Sequence, residues 1–202
     1  MRYEPHTHSI FSNIRLLDSI NSPEQLIDKA IELGMCGIAL TDHECVSGAP
    51  RFLKHYEQYK EEHPESSFKV AIGDEIYLTP NRESNQKYYH FLLNAKNAKG
   101  WRALKELSSH AWMLSYYDRG MERVPTTYDE LAAIVKKYPD SLIATSACIG
   151  GELSSTVLEL CEAELTGNIL GVEQAHNHIV NFVLWAKELF QNNFFIEVAP
   201  GC

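Results

Sequence analysis

Short apolar runs alternate with segments of helical periodicity along almost the whole chain. This alternation is typical of an α/β fold, in which helices pack against a mainly parallel sheet. Six apolar runs predict strands, at 2–5, 37–41, 68–72 with an extension at 76–78, 89–95, 142–145 and 194–198. We therefore expect one mainly parallel sheet with helices packed against it.

The segments between these strands carry clear helix signals. Ser22 with Gln25, and Thr127 with Glu130, have the spacing of capping boxes, in which each side chain satisfies a free backbone N–H at the start of a helix. Helices are predicted over 22–34, 48–62, 99–115 and 127–137, after residue 151, and from about residue 178. The polar segment 80–87 and the glycine-interrupted segment 164–178 are predicted to be loops.

Side chains that can bind metal ions lie at the ends of the predicted strands. They are His6 and His8 after the first strand, Asp42 and His43 after the second, Glu75 after the third, His90 at the start of the fourth, and Cys148 three residues after the fifth. Because the carboxyl ends of parallel strands meet at one face, we expect these residues to be neighbours. His90 fits only if its strand runs antiparallel or is longer than the pattern indicates.

Each of these signals is weak alone, since an isolated His-x-His is more often structural and Cys148 has the character of a small buried thiol. Thr41-Asp42-His43 is a stronger signal with two interpretations: the polar turn could cap the next helix, or the aspartate could orient the metal-binding imidazole of His43. Together, imidazole, thiolate and carboxylate donors at successive strand ends suit Zn, Mn or Fe, and their number indicates more than one ion. Such ions activate water and bind phosphoryl oxygens, which favours hydrolysis of a phosphate ester.

A second His-x-His, at His176 and His178, is interpreted differently. It falls in the segment predicted to be a loop, where Asn177 or a neighbour is expected to cap the following helix. We therefore expect these two histidines to have no metal-binding role. Walker, Gly-x-Gly-x-x-Gly and Gly-x-Ser-x-Gly motifs do not occur, so nucleoside triphosphate and serine hydrolase chemistry have no motif to support them.

Composition narrows the class of protein further. The 202 residues, 45% of them hydrophobic, are enough for one globular domain spanning 1–202. The net charge of −9 means that phosphates would be bound locally and not by the overall field. Five cysteines without a CxxC pair, and no apolar stretch near the ~20 residues that span a bilayer, favour a cytoplasmic protein with no membrane association.

The strand-end residues belong to segments that resemble the ordered motifs of the polymerase and histidinol phosphatase (PHP) domain. The segments are Pro5-His6-Thr7-His8-Ser9, Leu40-Thr41-Asp42-His43-Glu44, Ile72-Gly73-Asp74-Glu75-Ile76-Tyr77, His90-Phe91-Leu92-Leu93-Asn94-Ala95-Lys96 and Ser146-Ala147-Cys148-Ile149-Gly150-Gly151. They are most similar to the version at the amino terminus of the bacterial or phage DNA polymerase III alpha subunit. Segments 12–18 and 119–125 further resemble the branch seen in bacteriophage and some Firmicute-like polymerases.

The resemblance implies a distorted seven-stranded (β/α) barrel, here truncated after the sixth strand, as the amino-terminal part of a longer polymerase. It places a cluster of two or three Zn or Mn ions at His6, His8, His43, Glu75, His90 and Cys148, with Asp18 at a further acidic position. His8, Asp42 and His43 are the expected catalytic residues. The family's last Asp and His have no counterpart within residue 202, and many relatives carry a histidine shortly after the 195–197 strand that is missing here.

Three functions follow from this resemblance. The first is a metal-dependent phosphoesterase, acting as a 3′–5′ proofreading exonuclease on the 3′ end of DNA, with the remaining polymerase domains as partners in DNA replication. The second is a non-catalytic scaffold, or a module that docks a proofreading subunit. The third is a free-standing phosphatase of the histidinol-phosphate type, which the polymerase-like motifs disfavour.

Overall fold

A computed structural model describes residues 2–14, 17–83, 86–118 and 120–198. Within these residues there are nine strands: β1 Tyr3–Glu4, β2 Gly37–Leu40, β3 Lys69–Thr79, β4 Tyr89–Ala95, β5 Tyr116–Asp118, β6 Met121–Arg123, β7 Thr126–Thr127, β8 Leu142–Thr145 and β9 Phe194–Phe195. There are six α-helices: α1 Pro23–Glu32, α2 Ala49–Glu62, α3 Ala98–Met113, α4 Tyr128–Lys137, α5 Glu152–Thr166 and α6 Ile169–Phe190. Short 3-10 helices cover Ile10–Ile14 and Gln191–Asn193.

Seven of the described strands form one curled sheet, a half-barrel with the order β1-β2-β3-β4-β8-β9, in which β7 also pairs with β3. Strands β1, β2 and β3 are parallel, as are β8 and β9, whereas β4 is antiparallel to both β3 and β8. The predicted α/β class is confirmed. The reversal of β4 also satisfies the condition on His90, because its amino-terminal end lies at the same edge as the carboxyl ends of its neighbours.

Strand β3 joins the two halves of the sheet. Its first four residues pair with β2 and the following six pair with β4. At Gly73, where the pairing changes, a Cβ atom would lie 2.4 Å from the carbonyl oxygen of Leu93. Glycine therefore lets β3 continue where the sequence pattern indicated an interruption between 72 and 76.

Helices pack against the sheet around two apolar clusters. One cluster lies between β2, β3, α1 and α2 and contains Ile27 and Phe52. The other lies between β3, β4, β8 and the helices α3, α4 and α6, and contains Leu78, Phe91 and Phe182. The apolar side chains of the strands are buried in these two clusters. The polar side chains that can bind metal lie at the strand ends, outside the clusters.

Local signals placed five of the six helix starts within one residue and missed the start of α6. Both capping boxes are present, at Ser22 and at Thr127. The predicted loop at 164–178 is wrong, because Gly167 ends α5 with φ 69° and Asn168 caps α6 almost at once. The β5–β6 hairpin was not predicted, and the last strand covers only two of the five residues expected. None of the described helices is both long and apolar enough to cross a membrane.

Candidate metal centre

The carboxylate of Glu75 lies at the centre of four histidines. Its Oε1 atom is 3.2 Å from Nε2 of His6 and 3.0 Å from Nδ1 of His90. Its Oε2 atom is 2.9 Å from Nε2 of His8 and 3.0 Å from Nδ1 of His43. The Glu75 side chain is fully buried, so these rings replace water as its surroundings. Four elements that are distant in sequence thus bring five donor residues to one point.

Two buried atoms of this cluster lie close together without a hydrogen bond. Nδ1 of His43 and Oε2 of Glu75 are buried and have no hydrogen-bond partner, although they lie 3.0 Å apart. The Nε2 atoms of His6 and His8 are hydrogen-bonded to each other at 3.1 Å, beside this unsatisfied pair. Buried polar groups are rarely left unsatisfied in proteins, and a bound ion is one of the explanations when they are. Lone pairs that converge in this way fit a metal cation, with ligand types that suit Zn or Mn.

Two carboxylates hold the outer nitrogens of the first two histidines. Nδ1 of His6 is 2.8 Å from Oε1 of Glu197, whose Oε2 accepts a hydrogen bond from the hydroxyl of Thr145. Nδ1 of His8 is 2.5 Å from Oδ2 of Asp18. A carboxylate on the far ring nitrogen fixes the tautomer and the direction of a metal-binding imidazole. Both rings are therefore directed with Nε2 toward Glu75.

Glu197 was not singled out in the sequence. It follows the apolar run 194–196, so the strand-end rule that selected Glu75 would also have selected it. Asp18 was expected at an acidic position after the first motif, and the structure places it against His8.

Cys148 lies at the border of the cluster, in the loop after β8. Its Sγ atom is 3.4 Å from Nδ1 of His90 and 3.7 Å from Oε1 of Glu75. The backbone N–H of Gly150 donates to the sulfur, and the N–H of His90 donates to the carbonyl oxygen of Gly150. This loop therefore holds the thiol beside the histidine that begins β4.

The structure places Asp42 differently from the other predicted site residues. Its buried carboxylate accepts hydrogen bonds from the backbone and hydroxyl of Ser9 and from the hydroxyl of Ser12. The Ser12 hydroxyl in turn accepts from the backbone N–H of His43. Asp42 thus ties the loop after β1 to the end of β2, and its carboxylate is not hydrogen-bonded to the ring of His43.

The pKa values describe how the cluster balances charge without a metal. Burial lowers the pKa of His6, but hydrogen bonds to Glu197 and Glu75 outweigh burial and raise the value to about 10. Burial also lowers the pKa of His90, but hydrogen bonds to Cys148 and Glu75 raise it to about 9. These two rings carry protons at neutral pH and supply the positive charge that Glu75 requires.

His43, which follows β2, behaves oppositely. Burial lowers the pKa of His43 to about 4, which exceeds the raising effect of Glu75. Burial raises the pKa of Glu75, but hydrogen bonds from the surrounding histidines outweigh burial and hold it far below its ordinary value. The centre therefore contains a permanent carboxylate and a neutral imidazole, both of which are forms that bind metal ions.

Comparison with known proteins identifies the family. Residues 4–200 match the PHP domain. The chain belongs to the PHP domain family. Its sequence is 37% identical over 207 residues to the DNA-directed DNA polymerase of Bacillus phage SPbeta, a match that covers 97% of this chain and 16% of the polymerase. It is 33% identical over 200 residues to the DNA polymerase III subunit alpha of Borreliella burgdorferi, covering 96% of this chain and 15% of that subunit.

The PHP domain described here therefore spans about a sixth of the length of these curated polymerases. Among solved structures, an amidohydrolase from Chromobacterium violaceum gives a TM-score of 0.47 at 13% sequence identity, covering 96% of this chain and 84% of that chain.

Proposed function

We propose that this PHP domain is a metal-dependent phosphodiesterase that removes nucleotides from the 3′ end of DNA, as a 3′–5′ exonuclease within a longer DNA polymerase. The observation that carries the proposal is the convergence of four imidazoles on the buried carboxylate of Glu75, with unpartnered atoms on Glu75 and His43. The similarity to DNA polymerases supports DNA as the substrate and the remaining polymerase domains as the partners.

Three overlapping groups of side chains would hold two or three Zn or Mn ions. They are His6, His8 and Glu75; His8, Asp18 and His43; and His43, Glu75 and His90. Within each group the ligand atoms lie within 4.8 Å of one another. Cys148, at 3.4 Å from His90, extends the third group with a thiolate. Because His8, His43 and Glu75 belong to two groups each, loss of any of them disturbs more than one ion.

Ions in these positions would supply Lewis acidity, which activates a water molecule and neutralises charge on the phosphoryl oxygens. The chain itself supplies the positioning. Asp18 holds the ring of His8, and Glu197 holds the ring of His6. Asp42 accepts a hydrogen bond from Ser9 and thereby fixes the loop that contains both histidines. We therefore assign Asp42 a positioning role and assign His8 and His43 the role of ligands.

A combined metal and activity measurement tests the proposal. Protein prepared without chelator is analysed by plasma mass spectrometry, and release of 3′-terminal nucleotides from single-stranded DNA is followed with added Mn²⁺ or Zn²⁺. We expect bound metal in the wild type and metal-dependent release. His8→Ala and His43→Ala should lose both, while His63→Ala, at an exposed histidine stacked on Tyr59, should behave as wild type.

Two results would contradict the proposal. A chain with a full metal complement and no nucleotide release would favour the scaffold or docking role. Preferential hydrolysis of a small phosphate monoester over DNA would favour the phosphatase of the histidinol-phosphate type.

A further inference from the structure

A cavity of about 230 Å³ adjoins the candidate metal centre on the side of β4. His90 belongs to both, so a ligand in the cavity would be a direct neighbour of the metal ions. Its lining includes Tyr77 and Tyr88, together with Met121 and Arg123 from the β5–β6 hairpin. The cavity is smaller than the roughly 300–1,000 Å³ of sites for drug-sized ligands, so it suits a group of one or two rings.

Arg123 brings a guanidinium with an unsatisfied N–H to this cavity. Its Nε atom is buried and has no hydrogen-bond partner. Its guanidinium carbon lies 5.4 Å from the centre of the Tyr88 ring. No carboxylate of the described residues forms an ion pair with it, whereas Arg82 is paired at 2.6 Å with Glu130. A buried guanidinium N–H that lacks an acceptor is satisfied when a ligand supplies one.

The position of Arg123 beside the metal centre follows from strand pairing. β7 pairs in parallel with the end of β3, so that Leu78 lies opposite Thr126. Residues just before Thr126 are therefore brought alongside Tyr77, which immediately precedes Leu78. The hairpin is also joined to the segment before β4, because the hydroxyls of Tyr88 and Tyr116 are 2.5 Å apart.

The walls of the cavity indicate the kind of ligand. The Tyr77 ring lies 4.9 Å from the His90 ring and is stacked on His43 at 5.5 Å, which makes a rigid aromatic surface at the edge of the metal centre. Glu44 also lines the cavity, so an acidic and a basic side chain both border it, which suits a ligand with hydrogen-bond donors and acceptors. A nucleobase fits, because it has flat faces for stacking and an edge with hydrogen-bond acceptors and donors.

We infer that this cavity binds the base of the terminal nucleotide, with Tyr88 as an aromatic contact and Arg123 as a donor to the edge of the base, while the phosphate lies at the metal centre. The inference rests on the proposed phosphodiesterase function and adds the position of the leaving nucleotide. Arg123 thereby becomes a residue that determines preference for nucleotides over other phosphate esters.

Equilibrium binding isolates this contribution from catalysis. Calorimetric titrations of the Mn²⁺-loaded chain are made with deoxythymidine monophosphate and with deoxyribose 5-phosphate, which lacks the base. Because one aromatic or hydrogen-bonded base contact is worth on the order of tenfold in affinity, we expect the wild type to bind the nucleotide at least ~10-fold more tightly. Arg123→Gln and Tyr88→Leu should each reduce that preference and leave deoxyribose 5-phosphate binding unchanged.

Matched controls lie outside the cavity. Arg102→Gln, at an exposed position on α3, and Tyr117→Leu, at an exposed position on the same hairpin, should keep the full preference. Thermal melting and metal content are measured for every variant. If Tyr88→Leu melts early, Arg123→Gln alone carries the test.

The inference is overturned if the wild type binds both compounds equally, or if Arg123→Gln keeps the preference. Equal weakening of both compounds by Arg123→Gln would also overturn it, because the arginine would then contact the phosphate. Absence of DNA hydrolysis in a chain that still prefers the nucleotide would contradict the phosphodiesterase proposal and leave the base cavity standing.

Discussion

The chain contains two His-x-His segments, and the structure uses them in different ways. His6 and His8 lie in the extended backbone after β1, and their Nε2 atoms are 3.1 Å apart beside Glu75. His176 and His178 lie in α6, where residues two apart do not face each other. Both are exposed. The same motif therefore converges or diverges according to the backbone that carries it.

Each segment lies next to a glutamate, Glu75 or Glu152, and the two carboxylates differ in how completely they are hydrogen-bonded. Glu152 is bonded through both oxygens, with Oε1 2.6 Å from Nε2 of His178 and Oε2 accepting from the hydroxyl of Tyr128. Glu75 is more deeply buried, yet its Oε2 has no hydrogen-bond partner. A satisfied polar cluster stabilises a fold, whereas a buried cluster with open acceptors is prepared for a cation. This difference is a better guide to a site than the histidine spacing.

The largest effect on metal affinity should come from replacing one histidine in each His-x-His segment by alanine. His8→Ala removes a residue shared by two ligand groups, and we expect bound Zn or Mn to fall at least 100-fold in affinity, since even indirect ligand supports typically contribute about 10–100-fold. His178→Ala should leave metal binding unchanged. Competition titration with a metal-sensitive dye gives both affinities. Equal loss in the two variants would remove the distinction between the segments.

Metal affinity at the centre around Glu75 should also depend strongly on pH. In the metal-free chain His6 has a pKa of about 10 and His90 a pKa of about 9, so both are protonated at pH 7 and metal must displace those protons. Affinity should therefore rise with pH by roughly tenfold per unit for each proton displaced, and approach a plateau near pH 10.

The stability of the metal-free fold should change with pH in the opposite direction to the metal affinity. The raised pKa of His6 stabilises the metal-free fold fully below the unfolded pKa of 6.5, and this contribution is lost as the pH rises through about 10. Proton release on metal addition, measured in weakly buffered solution at pH 7 and pH 10, checks the displacement of protons, and urea unfolding of the metal-free chain at the same two pH values checks the stability effect. Equal release at the two pH values would contradict the charge balance described for the cluster.

Glu197 and Glu152 each contact a histidine, so the same substitution can be compared at both positions. Glu197→Gln weakens the hold on His6 Nδ1, and metal affinity should fall by about 10–100-fold while the chain remains folded. The matched change Glu152→Gln also alters a histidine contact, but it should not alter metal affinity. Calorimetric titration with Zn²⁺ distinguishes the variants. An unchanged affinity in Glu197→Gln would mean that Glu197 does not orient His6.

The smallest effect should appear in stability alone. Tyr128→Phe removes the hydroxyl that donates to Glu152 and keeps the ring against Trp185, so the free energy of unfolding should fall by about 1–2 kcal/mol. Tyr117→Phe, at an exposed tyrosine, should change it little. Urea unfolding gives the values, and metal content should be equal in both. Loss of metal in Tyr128→Phe would contradict this, because it would mean that the contacts of Glu152 affect the centre around Glu75.

Sequence reasoning located most of the centre because its residues follow one rule, the convergence of strand ends. It did not decide His90, since an apolar run does not show the direction of a strand. It misjudged 164–178, where Gly167 and Gly171 look like loop residues, although Gly167 ends α5 and Gly171 lies in the first turn of α6. The β5–β6 hairpin was missed because three-residue strands leave almost no periodic signal.

The amino-acid sequence by itself determined the α/β class, the two capping boxes and the candidate ligands, because these depend on local periodicity, on short-range hydrogen bonds and on residue type. Only the tertiary structure decided that Glu75 lies at the centre, that Asp42 holds Ser9 and not the His43 ring, and that Arg123 faces a cavity. These relations depend on which strands pair and in which direction. Pairing is set by packing of the whole sheet, which no single segment encodes.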